Sequence, residues 1–339
     1  MFDLSTGWKA GLIASALLIL AACGGGGGGD STPPPVASKV FAADEVNGGV
    51  GSTENSNPTP GTLVQITRII AGSNTQIPVG PGCFGCLPSL ALDSARDQLY
   101  VSTNNNILVF NNAGTASGNI APSRTVGGAG TGVRRRLQLN TASDVLYVST
   151  TTGSIFRIDG ASGANSATTA SRTLTLNVGP GDTLNDIALD ATNDVLYVAF
   201  DRGGVGTVGI IGNVSTRVSG AVTPDAEITI GSGSILTPAI TVDGPRDRLY
   251  VANESGRILV FDGARARTTG TPTADRTILL PFVMQHRVFI ETTNDRLYAS
   301  AQNRVVIVNN AGTANGAVAN AVAQLSTFNS DITAIVARP

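Results

Sequence analysis

The chain has 339 residues, of which 42% are hydrophobic and 14% are charged, and its formal net charge is −2 at pH 7. A chain this apolar can bury a sizeable core, so the composition excludes a disordered protein. It lacks the basic excess of a nucleic-acid-binding protein, so no nucleic-acid partner is predicted. Short β-branched runs, broken by Gly, Asn, Asp and Pro, predict an all-β fold.

Residues 1–22 have the character of an export signal rather than of a folded domain. Their apolar stretch is too short to span a bilayer as a helix, and it leads into Leu20-Ala21-Ala22-Cys23. This ending resembles the lipobox of bacterial lipoproteins, in which the Cys becomes the new N-terminus and carries several acyl chains. The resemblance implies lipidation at Cys23 and anchoring in the bacterial cell envelope, and Gly24 implies sorting to the outer membrane. The alternative is an ordinary signal peptide with an incidental cysteine.

Residues 23–37 are predicted to form a tether between this anchor and a folded domain over residues 38–339. The glycines of Gly24–Gly29 are flexible, and the prolines of Asp30–Pro35 favour an extended chain. A segment of this composition holds a domain away from a membrane surface.

A repeat organises the folded domain. Each copy centres on a Leu-Tyr pair, as in Gln98–Ser102, and all tyrosines of the protein lie in it. They are Tyr100, Tyr147, Tyr197, Tyr250 and Tyr298, so the copies are spaced by 47 to 53 residues. A fixed period of this length is typical of repeat architectures.

Each copy is predicted to form four short strands, a to d. In the first copy these are Ser89–Asp93, Gln98–Ser102, Ile107–Phe110 and Ser123–Val126. Four antiparallel strands in about 50 residues predict one blade of a β-propeller. A parallel β-helix has much shorter coils, and a sandwich does not repeat one strand pattern in this way.

The two ends of the domain are predicted to form a sixth blade together. Asp331–Val336 matches strand a, Lys39–Ala43 matches strand b, and Gln65–Ile70 matches strand d. One C-terminal strand and three N-terminal strands would therefore close the ring and remove its open edge.

The repeat resembles the NHL and YVTN families of β-propeller repeats over residues 38–339. The resemblance rests on the Leu-Tyr-Val strand, on the Ile-Leu-Val-Phe strand at 107–110 and 258–261, and on an Arg-Thr strand. The arginines of that last strand are Arg124, Arg172 and Arg276. The resemblance implies an all-β, six-bladed β-propeller with four antiparallel strands per blade. Propellers serve as hydrolases, lyases, sensors and docking platforms, so the fold alone does not decide the function.

Paired acids recur between strands a and b, with a spacing that resembles a calcium or catalytic motif. The pairs are Asp93/Asp97, Asp190/Asp194, Asp243/Asp247 and Glu291/Asp295. Because they recur from one hairpin to the next, where Asp accepts hydrogen bonds from turn N–H groups, we interpret them as turn residues.

Two departures from the repeat are candidate functional elements, because irregular loops on a rigid scaffold often carry binding. An insertion lies within residues 72–88, and Asp201–Gly206 lengthens the b–c loop of the third full blade. Loops d–a and b–c emerge on the same face of an antiparallel blade, so both departures are expected on one face.

The insertion contains Cys83 and Cys86, which an extracytoplasmic compartment would oxidise. We interpret the pair as a structural disulfide that pins the loop, and the alternative is a redox site. Leu87 stands where haem attachment needs a histidine, and the cysteines are too few for a four-cysteine zinc site.

The residues just before each strand a are expected at the mouth of the central channel, on the same face. They are Arg134, Arg135, Arg136, Asn185, Asp186, His286, Arg287, Asn329 and Asp331. This basic rim is a candidate site for an anionic ligand or partner, since a guanidinium group binds anions through two donors at once. The alternative is a solvated polar rim, in which His286 is a surface residue rather than a general base.

These features predict a membrane-anchored binding or assembly platform of the cell envelope, with an unknown protein or anionic ligand as partner and no cofactor. One alternative is a channel-mouth hydrolase of the lactonase type, a class that holds a divalent cation with Glu, Asp and Asn. The available oxygen ligands lack a Glu, so neither a metal site nor a catalytic residue is predicted, and enzymatic activity stays undecided. The available oxygen ligands are Asn185, Asp186, Asn329 and Asp331. The other alternative is a purely structural envelope protein.

Overall fold

The computed structural model describes residues 38–44, 49–54, 63–65, 68–77, 88–103, 106–127, 134–177, 179, 182–232, 238–253, 255–282, 287–301, 304–318, 322–326 and 332–338. The regular structure of these ranges consists of β-strands and short 3-10 helices. The strands are β1 Lys39–Asp44, β2 Gly49–Thr53, β3 Leu63–Gln65, β4 Arg68–Ile70, β5 Leu90–Asp93, β6 Gln98–Ser102, β7 Ile107–Asn111, β8 Arg124–Val126, β9 Arg134–Asn140, β10 Val145–Thr150, β11 Ser154–Asp159, β12 Arg172–Leu176, β13 Thr183–Asp190, β14 Val195–Arg202, β15 Val205–Gly212, β16 Gly220–Val222, β17 Ala226–Ser232, β18 Ala239–Asp243, β19 Arg248–Ala252, β20 Arg257–Asp262, β21 Arg276–Leu279, β22 Val288–Glu291, β23 Arg296–Ala301, β24 Arg304–Asn309, β25 Gly316–Ala317, β26 Val322–Ser326 and β27 Ile332–Arg338. The 3-10 helices are Ser73–Thr75, Ala161–Gly163, Gly244–Arg246 and Ala264–Ala266. No helix within these ranges has the length and apolar character needed to cross a membrane.

The strands form six sheets, and each sheet is one blade of a β-propeller. Four strands, a to d, pair antiparallel in each blade. Blades 1 to 6 consist, in the order a to d, of β5–β8; β9–β12; β13, β14, β15 and β17; β18–β21; β22, β23, β24 and β26; and β27, β1, β2 and β4. Neighbouring blades contact each other through their strands a, and β27 of blade 6 also contacts β5 of blade 1, so the ring is closed. The predicted six-bladed β-propeller is confirmed.

Three of the sheets carry a fifth strand that the repeat did not predict. Strand d of blade 6 begins at Arg68 instead of the predicted Gln65, and Leu63–Gln65 pairs parallel with β26 in blade 5. In the same way β16 pairs parallel with β12, and β25 pairs parallel with β21. Each fifth strand comes from the c–d segment of the following blade. It covers the outer edge of strand d, which would otherwise be free to pair with another chain.

The Leu-Tyr pair of strand b packs each blade against both of its neighbours. Leu99 belongs to the hydrophobic cluster between blades 6 and 1, whereas Tyr100 belongs to the cluster between blades 1 and 2. Adjacent strand residues point to opposite faces of a sheet, so one dipeptide fills both seams of its blade. The other tyrosines fill the seam after their own blade in the same way. Val40 and Phe41 take the two positions in blade 6, as predicted.

The recurrent acids form hydrogen bonds within the a–b turns and between these turns and the c–d loops. Asp93 Oδ1 accepts the N–H groups of Ala95 at 3.1 Å and of Arg96 at 3.0 Å. Asp97 has a φ of 51°, a left-handed conformation that Asp tolerates, and its carboxylate accepts the N–H of Gly114 in the c–d loop at 2.9 Å. The equivalent residues with positive φ and the same bond are Asp144, Asp194, Asp247 and Asp295. The interpretation of these acids as turn residues is confirmed.

An arginine in strand d links each of four blades to the blade that follows it. Arg124 Nε donates to the carbonyl oxygen of Ala164 in the c–d loop of blade 2 at 3.0 Å, and Arg124 Nη2 lies 3.3 Å from the Tyr100 hydroxyl. Three further arginines reach the c–d loops of blades 1, 3 and 5 from the same position. The four seam arginines are Arg68, Arg124, Arg172 and Arg276. Hydrogen bonds from a charged donor typically contribute about 1.5–3 kcal/mol each.

Blade 6 joins the two ends of the described chain. β27 pairs antiparallel with β1, starting at Lys39 opposite Arg338, and every residue of β27 is buried. Arg338 Nη1 donates to Asp97 Oδ1 of blade 1 at 2.7 Å, and Lys39 Nζ donates to the carbonyl oxygen of Gly114. Both partners lie in blade 1, so the side chains at this end of the hairpin are fixed to the next blade. β27 runs two residues beyond the predicted strand.

We expect truncation after residue 331, in a protein comprising residues 38–339, to destabilise the propeller by several kcal/mol. The deletion removes β27 and exposes the apolar faces of its neighbours, and buried apolar area contributes about 25 cal/mol per Å². Thermal unfolding and limited proteolysis measure the effect.

A circular permutant is the control for this truncation. It joins Arg338 to Lys39 through a two-residue Asn-Gly turn and opens the chain at the exposed Ala121–Pro122 bond in blade 1. It keeps every strand, so it should melt at or above the temperature of the parent. An unchanged melting temperature in the truncated protein would contradict the ring order described above.

Candidate functional site

A central cavity lies between the innermost strands of the ring. Its volume is about 240 Å³, and all six blades contribute to its wall. Most of the residues that line it are apolar, as expected for strands that pack face to face around the axis. Its polar side chains are Ser89, Arg136, Gln138, Asp186, Thr241 and Arg287.

Three buried charged side chains, which we call the channel triad, lie together in this wall. Arg136, Asp186 and Arg287 expose only 4%, 4% and 7% of their surface. Arg136 Nε lies 3.1 Å from Asp186 Oδ1, and Arg287 Nη1 lies 3.7 Å from Asp186 Oδ2. Asp186 Oδ2 also accepts the backbone N–H of Ile240 at 2.9 Å. One carboxylate of blade 3 therefore lies between guanidinium groups of blades 2 and 5.

Irregularities in two strands position the charged groups of blades 2 and 3. In β9 the pairing with β10 shifts so that Arg135 is skipped, directly before Arg136. In β13 the pairing with β14 skips Asn185 in the same way, directly before Asp186. Such β-bulges redirect a side chain relative to the regular alternation and are frequent beside functional sites.

Single polar side chains connect neighbouring innermost strands and make the wall rigid. Asp186 provides the link from blade 3 to Ile240 of blade 4. The other links are Ser89 Oγ accepting from Leu137 N at 3.1 Å, Gln138 Nε2 donating to Ile187 O at 2.8 Å, and Thr241 Oγ1 accepting from Ile290 N at 3.2 Å. A site held on rigid strands with satisfied supporting bonds is preorganised for a ligand. Sequence reasoning missed Ser89, Gln138 and Thr241, whose only signal is a polar side chain in or beside a strand that is otherwise largely buried.

Burial raises the pKa of Asp186 to about 6, because the charged carboxylate loses its hydration. Arg136 and the N–H groups of Ile240 and Ile187 favour the ionised form and oppose this shift. Apart from the two arginines, the other polar side chains of the wall do not titrate. Asp186 therefore changes the charge of the cavity near pH 6.

The channel triad carries a net charge of about +1 when Asp186 is ionised and about +2 when it is protonated. Guanidinium groups bind carboxylates and phosphates through paired donors, so two of them in one cavity wall suit an anionic ligand. A divalent cation does not suit this arrangement, because the carboxylate already faces two guanidinium groups. The described residues contain no cluster of three or more His, Cys, Asp or Glu side chains that could hold a metal ion.

The expectation of an exposed basic rim is wrong for the channel triad and for Asn185. Strands a of blades 2 and 3 begin earlier than predicted, at Arg134 and Thr183, so Arg136, Asn185 and Asp186 lie within the sheets, whereas Arg287 directly precedes β22. They line or adjoin a buried cavity instead of facing bulk water.

The remaining candidates lie wholly or partly outside the described residues. Arg134 and Arg135 lie in β9, but their side chains are not described. The leader 1–22, the tether 23–37 and positions 78–87 of the insertion are outside the described ranges. So are Cys23, Cys83, Cys86, His286, Asn329 and Asp331. The lipidation, the disulfide and the roles of these side chains stay predictions.

The second departure from the repeat is a longer hairpin rather than a longer loop. The pairing of β14 with β15 continues through Asp201 opposite Gly206, and Gly203-Gly204 forms a two-residue turn. The φ angles of the two glycines are 59° and 83°, which suits the tight turns of twisted hairpins. β13 begins at Thr183 opposite Asp201, so this hairpin ends on the face from which the innermost strands start.

Comparison with models of known protein families finds no match, and comparison with curated proteins finds none either. Among solved structures 1257 chains match, so the fold is too widely shared to decide a function. One of them, from the crystal structure of a nidogen/laminin complex, has a TM-score of 0.55 and 12% sequence identity. The match covers 88% of this chain and 97% of that chain. At this identity the likeness supports the propeller fold alone.

We expect the raised pKa of Asp186 to make stability depend on pH. The folded state binds a proton more tightly than the unfolded state, whose pKa is about 3.9, so stability falls as pH rises from about 4 to about 6. Asp186→Asn removes the titrating carboxyl group and therefore its contribution to the pH dependence of stability. The melting temperature of the wild type should therefore fall relative to that of the variant over this interval.

Asp201→Asn, which changes a partly exposed carboxylate on the same face, is the control and should follow the wild type. Parallel curves for the wild type and Asp186→Asn between pH 4 and pH 7 would show that Asp186 does not titrate in this range.

Proposed function

We propose that this protein is a lipid-anchored binding platform of the bacterial cell envelope, whose propeller captures a small anionic group in its central cavity. The observation that carries the proposal is the convergence of two guanidinium groups, from blades 2 and 5, on the wall of one central cavity. An anion bound in the cavity would accept hydrogen bonds from Arg136 and Arg287, and its negative charge would interact favourably with both guanidinium groups.

The size and the chemistry of the cavity define the ligand class. A volume of about 240 Å³ accommodates a small carboxylate or a phosphate group, or the acidic side chain of a partner protein. Protonation of Asp186 removes its competition for the two guanidinium groups. We therefore expect the cavity to bind anions more tightly as pH falls through about 6.

Sequence features support the proposed location of the protein at a membrane of the cell envelope. The lipobox-like Leu20-Ala21-Ala22-Cys23 and the tether that follows it favour a lipid-anchored domain. The resemblance of the repeat to NHL and YVTN propellers favours recognition of a partner, and the nidogen/laminin complex is one setting in which a protein of this fold is found. No described residue favours the lactonase-type alternative.

Anion binding is tested on the wild type and on Arg287→Gln. Isothermal titration with acetate and with inorganic phosphate at pH 5 and pH 7 should give saturable binding that is tighter at pH 5. Arg287→Gln removes one of the two charges, and loss of a buried charged hydrogen bond of about 1.5–3 kcal/mol weakens binding roughly 10- to 100-fold.

The control is Arg202→Gln, which removes an equal charge from a more exposed arginine near the tip of the b–c hairpin of blade 3. It should keep the wild-type affinity. Equal losses in the two variants would indicate a nonspecific effect of net charge, and anion binding by Arg287→Gln as tight as that of the wild type would exclude the channel triad as the site.

Anchoring is tested separately with Cys23→Ser. The variant cannot accept the diacylglycerol thioether, so it should move from the membrane fraction to the soluble fraction after a high-salt wash. Retention of the variant in membranes would contradict lipidation at Cys23 but would leave the anion site untouched.

A further inference from the structure

The seam between blades 3 and 4 departs from the pattern of the seam arginines. In blade 1, Tyr100, Val109 and Arg124 pair side by side across strands b, c and d, so their side chains share one face of the sheet. In blade 3 the same row is Tyr197, Ile210 and Ala226. Alanine therefore stands where four other blades carry an arginine.

A cavity of about 450 Å³ lies at this seam. Ala226 and Ile210 of blade 3 form part of its wall, and Arg265, Arg267 and Thr268 of the c–d loop of blade 4 form another part. The cavity therefore lies between the same two elements that a seam arginine bridges elsewhere.

The carbonyl groups that bind a guanidinium group at the other seams have counterparts at this seam. Arg124 donates to Ala164 O at 3.0 Å and to Ala161 O at 3.4 Å in the loop that follows a left-handed glycine. Ala264 and Arg267 take these two positions in blade 4, after Gly263 with a φ of 61°. The repeat therefore places the same pair of carbonyl groups at this seam. Arg267, which carries one of them, lines the cavity that stands in place of a seam arginine, which we call the slot.

A buried hydroxyl, that of Tyr197, belongs to the same seam. Among the described residues, Tyr197 Oη has no hydrogen-bond partner, and its side chain is fully buried. At the seam of blade 1 the equivalent Tyr100 hydroxyl lies 3.3 Å from Arg124 Nη2. An unsatisfied buried polar group costs about 1–3 kcal/mol, which a donor from outside would recover.

We propose that this cavity binds a guanidinium group supplied from outside the chain. This external guanidinium group, the guest, takes the place of the missing seam arginine and donates hydrogen bonds to the carbonyl groups of the blade 4 loop. A planar group with several N–H donors can reach these acceptors together, whereas an ammonium group cannot present the same fork.

The arginines of the blade 4 loop do not exclude such a guest. At the preceding seam, Arg217 takes the position of Arg267, and Arg172 still occupies the slot by donating to the Arg217 carbonyl oxygen at 3.1 Å. The guanidinium of Arg217 pairs with Asp225, and that of Arg267 pairs with Asp275 in the same manner. Each of these two loop arginines therefore pairs with a carboxylate of its own blade.

The test measures binding of ethylguanidinium to the full-length protein by ligand-observed NMR at millimolar, non-denaturing concentration. Wild type should bind it saturably, and ethylammonium should bind at least tenfold more weakly. Ala226→Arg fills the slot from within and should abolish binding while raising the melting temperature by about 2 °C or more. Val218→Arg, which adds the same charge at a position that is 78% exposed, should bind like the wild type.

Two further variants keep the proposal testable if Ala226→Arg does not fold. Ala226→Leu fills the slot with an apolar group and should also abolish binding. Arg124→Ala opens the equivalent slot between blades 1 and 2 and should add a second site for ethylguanidinium. No saturable binding by the wild type, or undiminished binding by the variants that fill the slot, overturns the proposal.

A comparison of two guests identifies the source of the guanidinium. Tighter binding of the peptide Gly-Arg-Gly than of ethylguanidinium supports an arginine side chain of a partner protein. Equal or weaker binding of the peptide supports a free guanidino compound. Either result upholds the slot as a guanidinium site.

Discussion

Packing of the Leu-Tyr pair in strand b is the interaction on which the whole ring depends. Leu146 fills the seam before blade 2 and Tyr147 fills the seam after it, so one dipeptide joins three blades. Six hydrophobic clusters, one at each seam, result from this arrangement. Closure matters for the same reason: without β27 in blade 6, the seams on both sides of that blade lose buried contacts.

The closed ring in turn creates the candidate site. Arg136, Asp186 and Arg287 are far apart in sequence and come from blades 2, 3 and 5, and only a ring brings their strands around one axis. A buried ion pair contributes little to stability after its desolvation cost, so the convergence of two arginines on this cavity points to a ligand rather than to folding. The raised pKa of Asp186 then couples the charge of the cavity to pH.

The fold could be predicted almost completely from the sequence, whereas the site could be predicted only in part. The period of the Leu-Tyr pair defines the blades, and the strands of blade 1 lie within one residue of their predicted bounds. The sequence pattern identified Arg136, Asp186 and Arg287 as candidate ligand-binding residues but did not predict their burial. The bulges at Arg135 and Asn185, which redirect the neighbouring side chains, leave no local signal in the sequence. The parallel fifth strands were also missed, since Gly220–Val222 and Gly316–Ala317 are too short to stand out in a chain rich in glycine.

The most direct test of the account is a crystal structure of the protein at pH 5 in the presence of bromide, measured at the bromine absorption edge. An anomalous peak within about 3–4 Å of the guanidinium groups of Arg136 and Arg287 is the result that the account predicts. The same peak should weaken at pH 8, where Asp186 is ionised. Bromide peaks confined to the outer surface, with none in the central cavity at either pH, would contradict the assignment of the channel triad as an anion site.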